Sequence, residues 1–311
     1  MYRFPFSESY GEIRFSMEQT VKYIDRKDIG LLEGWRIVTK EEACLKLEPY
    51  RPDSIFFHNV IEGGAKWSNG RPEVNTTFFC PEDPEFNGAV VIDIRGPIYK
   101  AAVFWPYKNF SLLIKALKDN YIIDWESKPN IFFGVQLECF GDLEQGMRSL
   151  GVDIKHIWTM AIYMMTPEIA RSLIVEEPEP GLKVSTLDKK HAALIASKWP
   201  PRRQDSVKFM EDMIDIFPTI GIFTKNDNSQ PIAWVMKNFH ALGMFYIMPE
   251  YRRKGYGSFL AKALSKILGE NGEYIISMID EDNAPSRNLF QKVGFTFVNR
   301  IKIMSTFTFE S

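Results

Sequence analysis

Phe245-Tyr246-Ile247-Met248-Pro249-Glu250-Tyr251-Arg252-Arg253-Lys254-Gly255-Tyr256-Gly257-Ser258 is the stretch whose reading decides the fold. Four apolar residues read as a short strand, and Pro249 ends its ladder because proline has no N–H to donate. A basic, glycine-containing turn follows, and then the alanine- and leucine-rich run to Leu268 reads as a helix, closed by Gly269 and Gly272. Strand, glycine turn and helix start together make a cradle for a pyrophosphate. The first amides of a helix lack intrahelical partners and carry the positive end of its dipole. Gly255 and Gly257 let the backbone approach an anion without an intervening Cβ. Arg252, Arg253 and Lys254 add formal charge, while Ser258, Tyr256 and the strand residues Tyr246, Ile247 and Met248 are the further candidate contacts.

The sequence around this stretch alternates regularly. Strands are expected at 182–186, 220–225, 232–238, 241–248 and 274–279, with one or two more within 295–309. Helices are expected at 188–199, 206–217, 257–268 and 284–293. The order β-α-α-β-β-β-α-β-α-β is mixed α/β. The run Glu176-Glu177-Pro178-Glu179-Pro180-Gly181 cannot continue a helix or a central strand, so it divides the chain into 1–178 and 179–311. In the first part, 41–47, 110–119 and 143–150 look helical, and 90–94 and 101–104 look like strands. The run 157–165 reads as a buried strand, ending at a Thr166-Pro167-Glu168 helix start. No internal sequence repeat is visible.

At 311 residues, with 45% hydrophobic and 25% charged content, the chain reads as an ordinary soluble protein of about two domains. A net charge of −2 gives no global pull towards nucleic acid or an anionic membrane, so the basic cluster at 252–254 suits a small anionic ligand. No apolar run is long enough to span a bilayer, which takes about 18 residues or more, and the N-terminus has no signal-peptide core. Three widely spaced cysteines, Cys44, Cys80 and Cys139, argue for a reducing compartment and against a disulfide framework or zinc site. The expectation is a cytoplasmic monomer with no metal.

A second motif stands about 25 residues beyond the glycine turn. Asp280-Glu281-Asp282-Asn283-Ala284-Pro285-Ser286-Arg287-Asn288-Leu289-Phe290 opens a helix at a strand end, and Val293-Gly294-Phe295 closes it. Together the two motifs resemble the GNAT superfamily of N-acetyltransferases over about residues 182–308. That resemblance implies that the first motif holds the pyrophosphate of coenzyme A and that Asn283, Ser286 and Phe290 lie along the pantetheine. Leu182 to Trp199, Phe209 to Pro218, Trp234, Ile122-Ile123-Asp124-Trp125 and Ile157 to Ala170 are also similar to glycine N-acyltransferase-like proteins. This narrower resemblance implies a second, related α/β domain at the N-terminus. It also implies transfer of an acyl group from acyl-CoA, acetyl or longer, to glycine or another small amine, with a mitochondrial location as an alternative. The alternatives in function are a non-catalytic acyl-CoA binder and an N-acetyltransferase of polypeptide amines.

Two positions depart from the pattern. The family's strand Glu before Pro-Glu-Tyr falls on Ala241, which leaves neighbouring His240 as candidate base, with an unperturbed pKa near ~6.5. Phe290 stands where many superfamily members place a proton-donating Tyr. The strand is expected to kink near Ile247 and to part from its neighbour, so that pantetheine pairs with backbone groups of Tyr246 to Met248. An amide at Phe245 or Tyr246 would then face the thioester carbonyl. The Asp280–Asp282 run reads as a solvated loop and helix cap, and the aromatics Phe104 to Phe110 as packing or an acceptor pocket.

Overall fold

The computed structural model describes residues 34–82, 90–96, 100–105, 122, 130–176, 179–199, 206–225 and 230–306. The expected helix at 110–119 and the turn at 226–229 lie outside these. Among the described residues twelve strands form one sheet in the order β1-β2-β3-β4-β5-β12-β6-β11-β10-β9-β8-β7. The first part supplies β1 (Trp35–Val38), β2 (Asn75–Pro81), β3 (Val90–Arg95), β4 (Lys100–Trp105), β5 (Asn130–Gln136) and β6 (His156–Met165). The second supplies β7 (Leu182–Ser185), β8 (Thr219–Thr224), β9 (Ala233–Lys237), β10 (Leu242–Ile247), β11 (Ile275–Asp280) and β12 (Thr296–Ser305). The order of elements anticipated for the second part is the order observed, with a single final strand.

Raising every strand number by six reproduces the same sheet read from its other edge. The pairing senses obey the same rule. β4 runs parallel to β5 and β10 parallel to β11, while every other neighbouring pair is antiparallel. The fold is therefore an internal duplication, although the sequence shows no repeat. Each half hands its sixth strand to the other: β6 lies against β11, and β12 lies against β5. The two exchanged strands pair along nearly their whole length, from Thr296 opposite Met164 to Ser305 opposite His156.

The helices follow the same logic. α1 (Lys40–Leu47) and α2 (Ile55–Ser68) connect β1 to β2, as α5 (Ala192–Ser197) and α6 (Ser206–Ile216) connect β7 to β8. α3 (Leu137–Ser149) joins β5 to β6, and α8 (Ala284–Val293) joins β11 to β12. α4 (Pro167–Ser172) follows β6, and α7 (Tyr256–Glu270) joins β10 to β11. One core lies where α1, α2, α5 and α6 cover the sheet, with Leu47, Phe56, Ile61, Ile195, Phe209, Met213, Trp234 and Ile276. A second lies beneath α4, α7 and α8, with Ala170, Leu260, Leu264, Ile275, Ile279, Phe290 and Val293. Residues 275 and 276 enter opposite cores because successive strand side chains point to opposite faces.

α2 was not evident from sequence, and it ties the halves together. It buries Phe56, Phe57, Val60, Ile61 and Trp67 fully, each contributing on the order of 2 kcal/mol or more. Its Asn59 Nδ2 donates to Tyr274 O (3.3 Å), at the entry to β11. Trp67 stacks on Phe239 at 5.5 Å and donates from Nε1 to Asp212 Oδ2 of α6 (3.4 Å). Arg71 beyond the helix reaches Asp215 (2.7 Å). The Gly63-Gly64 pair weakens the helix signal, because glycine costs about 1 kcal/mol against alanine in a helix interior. Gly63 is nevertheless required. A Cβ there would lie 1.7 Å from Phe239 O, in the β9–β10 turn.

Gly63→Ala sets the helix-propensity gain against that clash. Overpacking of this kind costs about 1–3 kcal/mol, and backbone against backbone has little room to relax. The expected result is a lowered urea midpoint with an unchanged m-value. A raised midpoint would show that α2 does not approach the turn this closely.

Candidate active site

β10 and β11 meet at Leu242 opposite Ser277 and are not paired beyond it. Two features turn β10 aside. The β10–β9 register shifts between Gly243 and Tyr246, and Met244 within that bulge has φ of +49°, a left-handed conformation rare for a non-glycine side chain. Pro249 then starts a single 3-10 turn. The bend lies at Met244, three residues earlier than the expected kink at Ile247. Between the parted strands a wedge opens towards their C-terminal ends.

The backbone at the wedge follows from strand alternation. Met248 N–H donates to Ile232 O (2.9 Å) and Tyr246 stands opposite Trp234. Ile247 between them therefore turns its N–H and C=O away from β9 and into the wedge. Of the expected pairing groups at 246–248, those of Tyr246 and the Met248 N–H face β9, the Met248 carbonyl accepts from Tyr251 N–H (2.9 Å), and Ile247 alone offers its backbone to a ligand lying in the wedge. Arg252 folds back and donates from Nε to Ile247 O (3.1 Å), with its guanidinium 5.7 Å from the Tyr246 ring centroid. It stands along the strand and not over the helix start.

On the β10 side, the open end of the wedge carries a cluster of exposed cations. Gly255, with φ of +83°, is the N-cap of the 15-residue α7, and no side chain caps the helix. The first amides of α7 are thus available to an anion. Arg253, itself at φ +62°, and Lys254 are exposed beside them. A Cβ on Gly257 would meet Leu289 Cδ2 at 3.2 Å and Ile247 Cδ1 at 3.5 Å, so the glycine sets the helix close against the wedge. Tyr256 is buried, and its hydroxyl donates to Glu179 Oε2 (3.2 Å). Burial first, and Glu179 second, push its pKa up, which makes it a brace for the segment entering β7. Ser258 lies in the first turn of α7, half-buried.

The wedge walls are aromatic. Tyr246 stacks on buried Trp234 at 5.2 Å. Phe245 turns to the other face and meets Phe290 edge-on at 6.1 Å, and Phe290 packs likewise on Phe295 at 5.0 Å. Phe290 is 3% exposed and cannot donate a proton. Asn283 caps α8 by accepting from Ser286 N–H (3.2 Å). These residues lie on β10, α7 and α8, which follow one another around the β10–β11 pair. A chain that binds the pyrophosphate and pantetheine of coenzyme A needs such an arrangement: an uncapped helix start, exposed cations and a parted strand.

The proton-handling residue is less favourably placed. Asn238 Oδ1 accepts from the N–H groups of His240 (3.0 Å) and Ala241 (2.8 Å), making a tight turn into β10. His240 lies in this turn beneath α2, with Phe56 at 5.9 Å and Phe239 at 4.5 Å. Burial lowers its pKa to about 3, so the imidazole is neutral and a poor proton acceptor near neutrality. Ala241 is buried beside it. Asp280 accepts from Asp282 N–H (2.9 Å) within the turn, and Glu281 pairs with Arg300 of β12, so both are engaged in structural contacts. Lys237, which sequence reasoning passed over, is half-buried at the closed end against Glu273, and desolvation followed by Lys66 lowers its pKa to about 8. Burial raises the thiols of Cys44 to about 11 and Cys80 to about 12, which leaves both unreactive. Among the described residues no group of three or more His, Cys, Asp or Glu could hold a metal, and no helix is long and apolar enough to cross a membrane.

Parted parallel strands, a bulge and an uncapped helix start in a mixed α/β sheet match the fold of the acyl-CoA N-acyltransferases of the GNAT type. Comparison with known proteins agrees. Residues 219–302 match the model of the family described as FR47-like protein. The chain is similar to a solved Drosophila protein at 19% identity and a TM-score of 0.75, covering 88% of this chain and 98% of that one. It is also similar to a tandem GNAT protein from the clavulanic acid biosynthesis pathway, solved without acetyl-CoA. That match has 10% identity and a TM-score of 0.53, over 87% of this chain and 97% of the other.

The His240 environment has a measurable signature. Its folded pKa lies below the unfolded value, so the unfolded chain binds the extra proton first. The stability gained from keeping it neutral is complete above about pH 6.5 and is lost as pH falls towards 3. Between pH 7 and pH 5 the loss is about 2 kcal/mol, because the unfolded pKa governs that interval. Urea unfolding of the protein and of His240→Met at both pH values should show this increment missing from the variant. An equal pH dependence in the two proteins would place His240 in water.

Proposed function

We propose that this protein is an acyl-CoA-dependent N-acyltransferase that acylates a small amine or amino acid, of the glycine N-acyltransferase-like kind. The observation that carries the reading is the parting of β10 from β11 beside the uncapped start of α7. Pyrophosphate lies on the first amides of α7 with Arg253 and Lys254, and pantetheine pairs with Ile247 in the wedge. Arg252 must leave Ile247 O for that pairing to form. Tyr246, Met248, Gly255, Tyr256, Gly257, Ser258, Asn283, Ser286 and Phe290 shape the same groove. The division at 1–178 and 179–311, with one acyltransferase-like half on each side, a cytoplasmic location and a monomeric state belong to this proposal.

The reaction is direct. The free amine nitrogen attacks the thioester carbon, the C–N bond forms, the C–S bond breaks with its electron pair leaving on the coenzyme A sulfur, and the proton lost from nitrogen passes to water. A thiol has a pKa near ~8.5, so its thiolate leaves without a donor at Phe290. With Ala241 a methyl group and His240 neutral, the amine enters as its free base.

Purified protein, supplied with acyl-CoAs of several chain lengths and a panel of amines and amino acids, should release thiol only when an amine is present. kcat/KM should rise with pH along the amine's own ionisation. An inflection near pH 6–7 that disappears in His240→Gln would instead make His240 the base. Thiol release with a peptide amine only would move the acceptor to polypeptides. The absence of release from any pair defeats the catalytic reading. Ala241 and buried His240 favour one other reading, a non-catalytic acyl-CoA binder, which tight binding without turnover would support.

A further inference from the structure

Arg252 is the cation of the basic turn that bonds the strand before it. Pro249 begins a 3-10 turn in which Tyr251 N–H donates to Met248 O (2.9 Å) and Arg252 N–H to Pro249 O (3.3 Å). The turn brings residue 252 back beside the end of β10. There Arg252 Nε donates to Ile247 O (3.1 Å). The guanidinium lies 5.7 Å from the Tyr246 ring centroid, inside the cation–π range of about 6 Å. Tyr246 is itself held by its stack on buried Trp234 at 5.2 Å. The other two cations differ. Lys254 Nζ lies 5.3 Å from the Tyr251 ring centroid, and Arg253 takes φ of +62°.

That position conflicts with a ligand. Ile247 O points into the wedge, because Tyr246 and the Met248 N–H pair with β9. A pantetheine chain lying along β10 needs the same oxygen and the same strip of edge that the guanidinium covers. A carbonyl oxygen has two lone pairs, but a guanidinium and a pantetheine chain do not fit on one edge together. Pantetheine carries neutral amides and hydroxyls, which give an arginine no reason to move. A diphosphate does. Its oxygens are charged and accept the guanidinium fork in a bidentate way, whereas Ile247 O takes one N–H. Only Arg253 and Lys254 separate Arg252 from Gly255, the N-cap of α7. A side chain released from the strand therefore stays next to the helix start.

We infer that Arg252 is a specificity latch, which covers the pantetheine edge of β10 and yields it to ligands that bring a diphosphate to the start of α7. The inference rests on reading the β10–β11 wedge as the acyl-CoA site, and it adds a selection to that reading. The favoured substrates are thioesters of a pantetheine that bears a diphosphate. A bare pantetheine thioester has to displace Arg252 with nothing to offer it in exchange. Arg252 takes no part in making or breaking bonds. It decides which ligands reach Ile247, and so which thioesters are held against the strand.

Calorimetric titration of the full chain and of Arg252→Ala, with coenzyme A and with pantetheine, tests this. Arg252 is exposed, so the variant should keep the unfolding midpoint of the parent. Loss of the latch should tighten pantetheine about fivefold or more, the scale of one hydrogen bond to a charged group. Coenzyme A should bind the variant no more tightly than the parent, so its advantage over pantetheine shrinks. Arg253→Ala, in the same turn, should weaken coenzyme A and leave pantetheine unchanged. Pantetheine binding that Arg252→Ala does not improve, including no measurable binding to either protein, would overturn the latch. So would an equal gain for both ligands, or an equal gain in pantetheine binding from Arg253→Ala. Each of these results spares the acyltransferase reading while the parent binds coenzyme A. A parent that does not bind coenzyme A at millimolar concentration would overturn both.

Discussion

The β6–β12 ladder is the interaction on which the rest of the molecule depends. Each of these strands belongs by connectivity to one half and by its outer pairing to the other. Without β6, β11 would present a bare edge; without β12, β5 would. Exposed edges of that length invite pairing with other chains, so exchange within one chain protects both. The ladder also fixes the two halves in one sheet. α2 can therefore lie against the strands of the other half, and Gly63 can approach Phe239 O closely enough to exclude a methyl group.

How far the sequence carried this reading depends on the range of the interactions involved. The second half was legible almost element by element, because its signals are local: Asn283 caps α8, Gly294 at φ +111° ends it, Gly255 at φ +83° starts α7, and Pro249 stops β10. The candidate ligand site shares this property, being two strand ends followed by two helix starts. α2 escaped notice because its Gly63-Gly64 pair looks like a break until the turn it packs on is known. β1, β2 and β5 were not foreseen either. The duplication was invisible because it is conserved in strand order and pairing sense, which no residue-by-residue periodicity records. The bend in β10 was expected at Ile247 from the following proline. It occurs at Met244, where an extra residue in the ladder with β9 does the turning.

His240 shows how context overrides residue type. As a histidine in a turn before the wedge strand it has the right intrinsic pKa for proton transfer. The approach of α2 that holds the closed end of the wedge also covers the imidazole with Phe56 and Phe239, and desolvation lowers its pKa. Bracing the strand and exposing a base at its root are incompatible demands on the same turn. In this chain the bracing prevails, and Ala241, buried in the same core, completes the exchange of chemistry for packing.

A wedge of this kind still has the means to favour acyl transfer. Binding supplies much of what the reaction needs, because holding a thioester and an amine in one orientation can contribute about 7 kcal/mol or more towards the barrier. A preorganised N–H aimed at the carbonyl adds a further electrostatic contribution, since charge develops on that oxygen as nitrogen attacks. Both effects require that the strand carrying the N–H does not move. Fixing β10 at Leu242, bulging it at Met244 and holding Ile247 between β9 and the α7 start meets that requirement. The fixed closed end, where Leu242 pairs with Ser277 and Gly63 packs on Phe239 O, and the open end beyond Met244 are thus two consequences of one construction.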